Sequence, residues 1–198
     1  MQLYYTPRSH FSRKVRILLD AWHMPVELID VGDVSDSAAF GSNPLMKVPT
    51  LVDGETWLID SDHIARYLVR TYQPQDDFSV LDESESTLNI RAVLNGIMAA
   101  EVEWLLARRT GIPTEQYRRF DKILHSMRQG MAWLEQNAAR FLTQPSYSGF
   151  HLVCLWDHLA CYQTLELTPY SNLAELCRLL SQNDFVNKSV PPAIPKER

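Results

Sequence analysis

No run of apolar residues approaches the roughly 20 that a membrane helix requires. The start, MQLYYTPRSHFSRKVR, lacks the charged-then-apolar order of a signal peptide. The expectation is a cytoplasmic protein with no membrane partner. Positive charge is also in deficit. With 19 Lys and Arg against 24 Asp and Glu, the formal net charge is −5, which gives no general attraction to nucleic acid. Cysteine is sparse: Cys154, Cys161 and Cys177 form no Cys-x-x-Cys pair, and all three lie beyond residue 75. The first two fall on one predicted helix at about 10 Å separation, too far for a disulfide, so the cysteines read as core thiols. No metal site and no tightly bound cofactor is read from the sequence.

What is present suffices for a core. The chain has 198 residues, 45% of them hydrophobic, enough for one large domain or two small ones. Its composition changes near residue 75. Before that point short strands and helices alternate: Leu3 to Tyr5 as strand, Ser12 to Trp22 as helix, Val26 to Val31 as strand, and a weak helix near Ser35 to Phe40. Then comes NPLMKVPTLVDGETWLIDSDHIARYL, two strand-like runs around an Asp53-Gly54 turn and a helix from His63 to Tyr72. An acidic connector, PQDDFSVLDESES, follows. Beyond it the spacing predicts helices over Ser86–Arg109, Thr114–Asn137, Phe150–Leu165 and Leu173–Gln182, with a break at Gly111-Ile112-Pro113 and an irregular tail from Pro191.

Two features of the first half point to chemistry. Pro49 stands where a strand should begin, and a cis Val48-Pro49 bond would turn the Val48 backbone outward, free to pair with an extended, peptide-like ligand. Eleven residues on, Asp60 and Ser61 precede a helix whose free amides and dipole favour a carboxylate. Ser61 suits the carboxylate and Asp60 the ammonium of one amino-acid head group. The structural reading of the same residues is that Pro49 shapes a strand and Asp60 or Ser61 caps a helix.

The order of these features resembles the glutathione S-transferase superfamily. Asn43-Pro44, Lys47-Val48-Pro49-Thr50-Leu51, Asp53-Gly54 and Asp60-Ser61-x-x-Ile64-x-x-Tyr67-Leu68 follow that family's glutathione-site pattern, and LYYTPRSHFSRKVRILL looks like its first strand and helix. The resemblance covers the chain, more closely as far as Tyr72. It implies an α/β plus all-α protein: a thioredoxin-like N-terminal domain over residues 1–75, then a helical domain over 84–198 carrying the electrophile site and dimer contacts. The family usually has Glu-Ser where this chain has Asp60-Ser61. Its Ser/Thr-x-x-Asp cap in the last domain reads here as Ser148-Gly-Phe-His151.

The resemblance further implies glutathione as co-substrate, bound by Lys47, Val48, Pro49, Asp60 and Ser61. A thiol with a pKa near 8.5 is mostly protonated at neutral pH, so a donor near a helix N-terminus is needed to favour the thiolate. Alignment of Val15-Arg16-Ile17 with serine-type members puts Ser9 at the catalytic serine's place, with Ser12 as the alternative donor and a cap-only role for Ser9 left open. His10 corresponds to the cysteine of some bacterial members and, alone in a first helical turn, is expected to be exposed. His10, Trp104 and Arg108 are the candidate electrophile-site residues. Trp104 also reads as core and Arg108 as solvated, and the polar placement that zeta-type isomerisation needs is not found. The absence of a first-domain cysteine argues against glutaredoxin-like exchange. The expected activity is conjugation of glutathione to a small hydrophobic electrophile by a homodimeric, detoxifying enzyme. The alternatives are a non-catalytic protein-binding module of the stringent-starvation type, and a glutathione-dependent peroxidase or disulfide reductase.

Overall fold

In the computed structural model, which describes residues 1–41, 43–142 and 144–194, the chain forms a four-stranded sheet with helices, followed by helices alone. The order is β1 (Gln2–Tyr5), α1 (His10–Ala21), β2 (Glu27–Asp30), a 3-10 turn at Ser37–Phe40, β3 (Thr50–Asp53), β4 (Thr56–Ile59), α2 (Ser61–Tyr72), α3 (Glu85–Arg109), α4 (Arg118–Gln136), α5 (Tyr147–Tyr162), α6 (Ser171–Leu180) and the single turn α7 (Asp184–Asn187). The sheet order is β2-β1-β3-β4. Strands β1 and β2 are parallel across the α1 crossover, whereas β1/β3 and β3/β4 are antiparallel. This is the thioredoxin-like arrangement followed by a helical domain.

The β3–β4 hairpin closes through two residues, and Gly54 supplies the positive φ of 59° that its first loop position demands. Helix α1 carries apolar residues on two faces. Val15 and Leu19 join Leu3, Leu51, Ile64 and Leu68 under the sheet. Ile17 and Leu18, with Ala65 and Val69 of α2, instead enter the core built from α3 to α7. The expected helices are all present, with shifted ends. Helix α1 starts at His10 rather than Ser12, and α2 at Ser61 rather than His63, because Ser9 and Asp60 take the capping positions. The stretch read as one helix from Thr114 breaks at Tyr117 into a 3-10 turn and α4.

The acidic connector is an ordered turn system. Asp76 accepts hydrogen bonds from the Val80 and Leu81 amides, and Arg91 of α3 donates to the carbonyls of Ser79, Val80 and Asp82. The cap of α5 is Ser146, whose Oγ accepts from the Gly149 amide at 3.2 Å. The Ser148–His151 register is therefore two residues late, and Gly149 stands at the position the family gives to aspartate. Of the cysteines, Cys154 and Cys177 are buried and Cys161 is partly exposed. Burial pushes the Cys154 thiol up to about 11. Of the tail, residues 191–194 have no regular structure, and the rest of that expectation lies outside the described residues.

Candidate functional site

Strand register decides which loops meet. Tyr4 pairs with Thr50, and Thr50 pairs with Ile59. The segment leaving β1 toward Ser9, the segment entering β3 through Lys47, Val48 and Pro49, and the segment leaving β4 toward Asp60 and Ser61 therefore all emerge at one end of the sheet.

Ser9 is the N-cap of α1, half-buried, and its Oγ accepts from the Ser12 amide at 3.1 Å. That bond uses a lone pair and leaves the hydroxyl proton free to be donated. The next amides, of His10 and Phe11, have no backbone acceptor, as the first turn of any helix requires. Hydroxyl, amides and helix dipole together favour a sulfur anion in front of this turn. Beside it, Arg8 donates to the carbonyls of Pro192 and Ala193, so the C-terminal segment crosses close to this loop.

Val48-Pro49 is cis. Asn43, 5% exposed, braces the loop: its Nδ2 donates to the Lys47 carbonyl and to Thr50 Oγ1 at 2.6 and 2.9 Å, and its Oδ1 accepts from the Leu45 amide. Among the described residues neither the amide nor the carbonyl of Val48 has a hydrogen-bond partner. Lys47 is exposed and Pro49 buried. Asp60 is exposed, and its Oδ1 already accepts from the Asp62 and His63 amides. Only its other oxygen is left for an ammonium group. Asp60 holds a φ of 75°, a conformation that non-glycine residues rarely adopt and that concentrates at ligand clamps. Ser61 is the first residue of α2, 3% exposed.

The other candidates sit differently. Ser12 is fully buried with an unpartnered Oγ, so it cannot reach a thiol outside the fold, and the alternative donor is withdrawn. His10 is not exposed. It is 2% accessible and packed edge-on to Phe11 and His158. Trp104 is buried in α3, and the exposed Arg108 lies over its ring at 4.7 Å, so the pair makes a capped wall rather than two free groups. Neither Trp104 nor Arg108 lines the hollow of about 580 Å³ on the outer side of α3 and α4, bordered by Leu106, Ile112, Tyr117 and Phe120.

Behind Ser9, two buried polar clusters join the halves. In the first, Asp62 of α2 accepts from Lys14 Nζ at 3.0 Å, Tyr147 Oη at 2.7 Å and Asn95 Nδ2 at 2.6 Å. His151 Nε2 lies 3.1 Å from Asp62 Oδ1 without hydrogen-bond alignment, and its Nδ1 faces Lys14 Nζ at 3.5 Å. Burial alone would raise the Asp62 carboxyl, but His151, Lys14 and Tyr147 outweigh it and hold it well below the usual carboxylate range. Burial and the Lys14 charge push His151 down to about 4, so its ring is neutral at pH 7. In the second cluster, Glu101 of α3 accepts from Thr164 Oγ1 and pairs with His158 Nδ1, both at 2.8 Å, and His10 Nδ1 stands 3.8 Å away. Burial, with the charges of His158 and Lys14, holds His10 well below its ordinary value. Lys14, Asn95, Tyr147 and His158 were not singled out from the sequence. The available signal was a histidine inside the apolar pattern of α5.

A parallel and antiparallel four-stranded sheet, a cis-proline loop at one of its ends and an appended helical bundle define a thioredoxin-like domain joined to an all-helical one. Residues 3–76 match the family model of the glutathione S-transferase N-terminal domain. Glutathione S-transferases Z2 and Z1 of Arabidopsis thaliana are each 36% identical to it over 105 residues. That match covers 49% of this chain and 46 to 47% of theirs, so the chain spans about half the length of the curated relatives it matches. Among solved structures, a glutathione S-transferase of Methylobacterium radiotolerans in complex with glutathione sulfonate superposes with a TM-score of 0.80 at 21% identity, over 100% of this chain and 97% of that one. A maleyl pyruvate isomerase, a bacterial zeta-class glutathione S-transferase, superposes at 0.74 and 21% over the full length of both. At these identities the likeness is one of fold.

Proposed function

We propose that the chain is a glutathione S-transferase-like enzyme that binds glutathione at the end of its sheet and uses the thiolate as nucleophile. The observation that carries this reading is the convergence of Ser9, the unpartnered Val48 backbone and the α2 N-terminus on one end of the sheet. Val48 pairs with the peptide-like backbone of glutathione, with Lys47 and Pro49 shaping that edge. Ser61, through its amide and hydroxyl, holds the γ-glutamyl carboxylate, and the free oxygen of Asp60 meets its ammonium group. Ser9 donates its hydroxyl proton to the thiolate. The second substrate is a small hydrophobic electrophile approaching along α3 near Trp104 and Arg108. We also take residues 1–75 and 84–198 as the two domains, the setting as cytoplasmic, the role as detoxification and the assembly as a homodimer.

A glutathione-dependent isomerisation is the second reading. The zeta-class names of the curated relatives and the maleyl pyruvate isomerase fold favour it.

Calorimetric titration with glutathione tests the binding half: Asp60→Ala and Ser61→Ala should each weaken binding by about 1–3 kcal/mol. Unchanged curves for both remove the site. For the chemistry, Ser9→Ala should lower the rate with a generic electrophile roughly 10- to 1,000-fold and move the pH–rate profile upward, with little change in binding. Activity that survives Ser9→Ala unaltered would leave the backbone amides of the first turn as the thiolate's donors.

A further inference from the structure

His10 opens α1, Glu101 lies midway along α3 and His158 near the end of α5, yet their side chains meet in one buried cluster. One ligand atom from each lies within 4.8 Å of the other two. His158 Nδ1 is 2.8 Å and His10 Nδ1 3.8 Å from the same oxygen, Glu101 Oε2, and the two imidazole centroids are 4.1 Å apart at 70°. The polar inventory is incomplete. Each oxygen of Glu101 has one hydrogen-bond partner, Thr164 or His158, whereas among the described residues neither ring nitrogen of His10 makes a well-aligned hydrogen bond, with only the Met98 backbone near it, although the residue is only 2% exposed. An imidazole always carries at least one donor or lone pair to be met, and leaving both nitrogens unmet in the interior is costly.

We propose that His10, Glu101 and His158 form a binding site for a zinc-class divalent cation. Two imidazoles and one carboxylate are a ligand set that such ions take, with a fourth position open to water or an anion. In a tetrahedral site with bonds near 2.0–2.1 Å, ligand atoms stand about 3.3 Å apart. The observed 2.8 and 3.8 Å bracket that value and the separation between the two imidazole ligand atoms is within 4.8 Å, so side-chain rotation is what closes the site. His10 contributes a lone pair from an uncharged ring. His158 ligates through Nδ1 by carrying its ring proton on Nε2 instead. Thr164, donating to Glu101 Oε1 at 2.8 Å, orients the carboxylate from outside the ligand triangle. The bound ion ties the first turn of α1, and with it the loop of Ser9, to α3 and α5. None of this depends on the thiol chemistry proposed above.

The test is a titration of the chelator-stripped full chain, with Zn²⁺ by calorimetry and with Co²⁺ by visible absorption. One ion per chain is expected, with the ligand-field bands of four-coordinate cobalt. His10→Ala and His158→Ala should each weaken Zn²⁺ binding by more than the roughly 10- to 100-fold that loss of an outer partner costs, and Thr164→Val should fall within that range. Circular dichroism of each variant checks the fold. The wild-type titration needs no variant, so a folded chain that binds neither ion at micromolar concentration overturns the assignment. Binding that survives His10→Ala and His158→Ala in folded protein also overturns it, placing the ion on exposed histidines such as His23, His63 or His125.

Discussion

His10 and Lys14 stand one turn apart on the same face of α1, and each reaches across to the helical half, but they meet opposite surroundings. Around Lys14 the partners are nearly complete: its ammonium bonds Asp62 and Asn95, and Asp62 in turn takes Tyr147 and Asn95. Around His10 the set is deficient: among the described residues neither ring nitrogen makes a well-aligned hydrogen bond, and beside Glu101 the polar group it meets is the Met98 backbone. A nearly saturated network is a fastening, whereas a deficient one next to a carboxylate and a second imidazole is a place for something else to bind.

The comparison breaks first at Lys14. Lys14→Met leaves the partly buried Asp62 carboxylate without its buried cation, and urea unfolding at pH 7 should show a loss at or below the lower end of the roughly 3–5 kcal/mol of a fully buried pair. Pairing it with Asp62→Leu should recover part of that loss, and a double variant weaker than the single one would contradict the view of the pair as a unit. Next comes acid. The folded-state value of His151 is about 4 against 6.5, so between these pH values the unfolded chain holds more protons than the folded one, and stability rises with pH. Lowering the pH from 6.5 to 4 should therefore remove roughly 3 kcal/mol, and His151→Phe should flatten this segment of the curve. A smaller effect sharpens the fold side: Ser146→Ala should cost about 1 kcal/mol through loss of the α5 cap, measured by the urea midpoint. Last, the exposed Arg178–Glu175 pair should contribute nothing measurable, so that Arg178→Ala leaves the midpoint in place.

The parts of the molecule that were legible in the sequence are those whose signal is local. Asp53-Gly54 announced a hairpin, Val48-Pro49 a turned backbone and Asp60-Ser61 a helix mouth, because each is decided by residues a few positions apart. Periodicity located the long helices but not their ends, which depend on whether Ser9, Asp60 or Ser146 reaches a particular amide. The clusters behind Ser9 were not legible. Asp62 meets Tyr147 across 85 residues and Glu101 meets His158 across 57, so no spacing rule connects them. His10 misled for the same reason. A histidine in a first turn looks solvated until α3 and α5 are laid over it.

Ile17, Leu18, Ala65 and Val69 belong by sequence to the sheet half but by packing to the core of the helical half. The division near residue 75 is thus a boundary of composition that the hydrophobic interior does not respect. A piece of chain ending near residue 76 would carry an uncovered greasy flank and would be expected to clump rather than persist alone. Heating the intact chain should melt both halves together in a single cooperative step, and a protease cutting in the connector should gain access only when the molecule as a whole has opened.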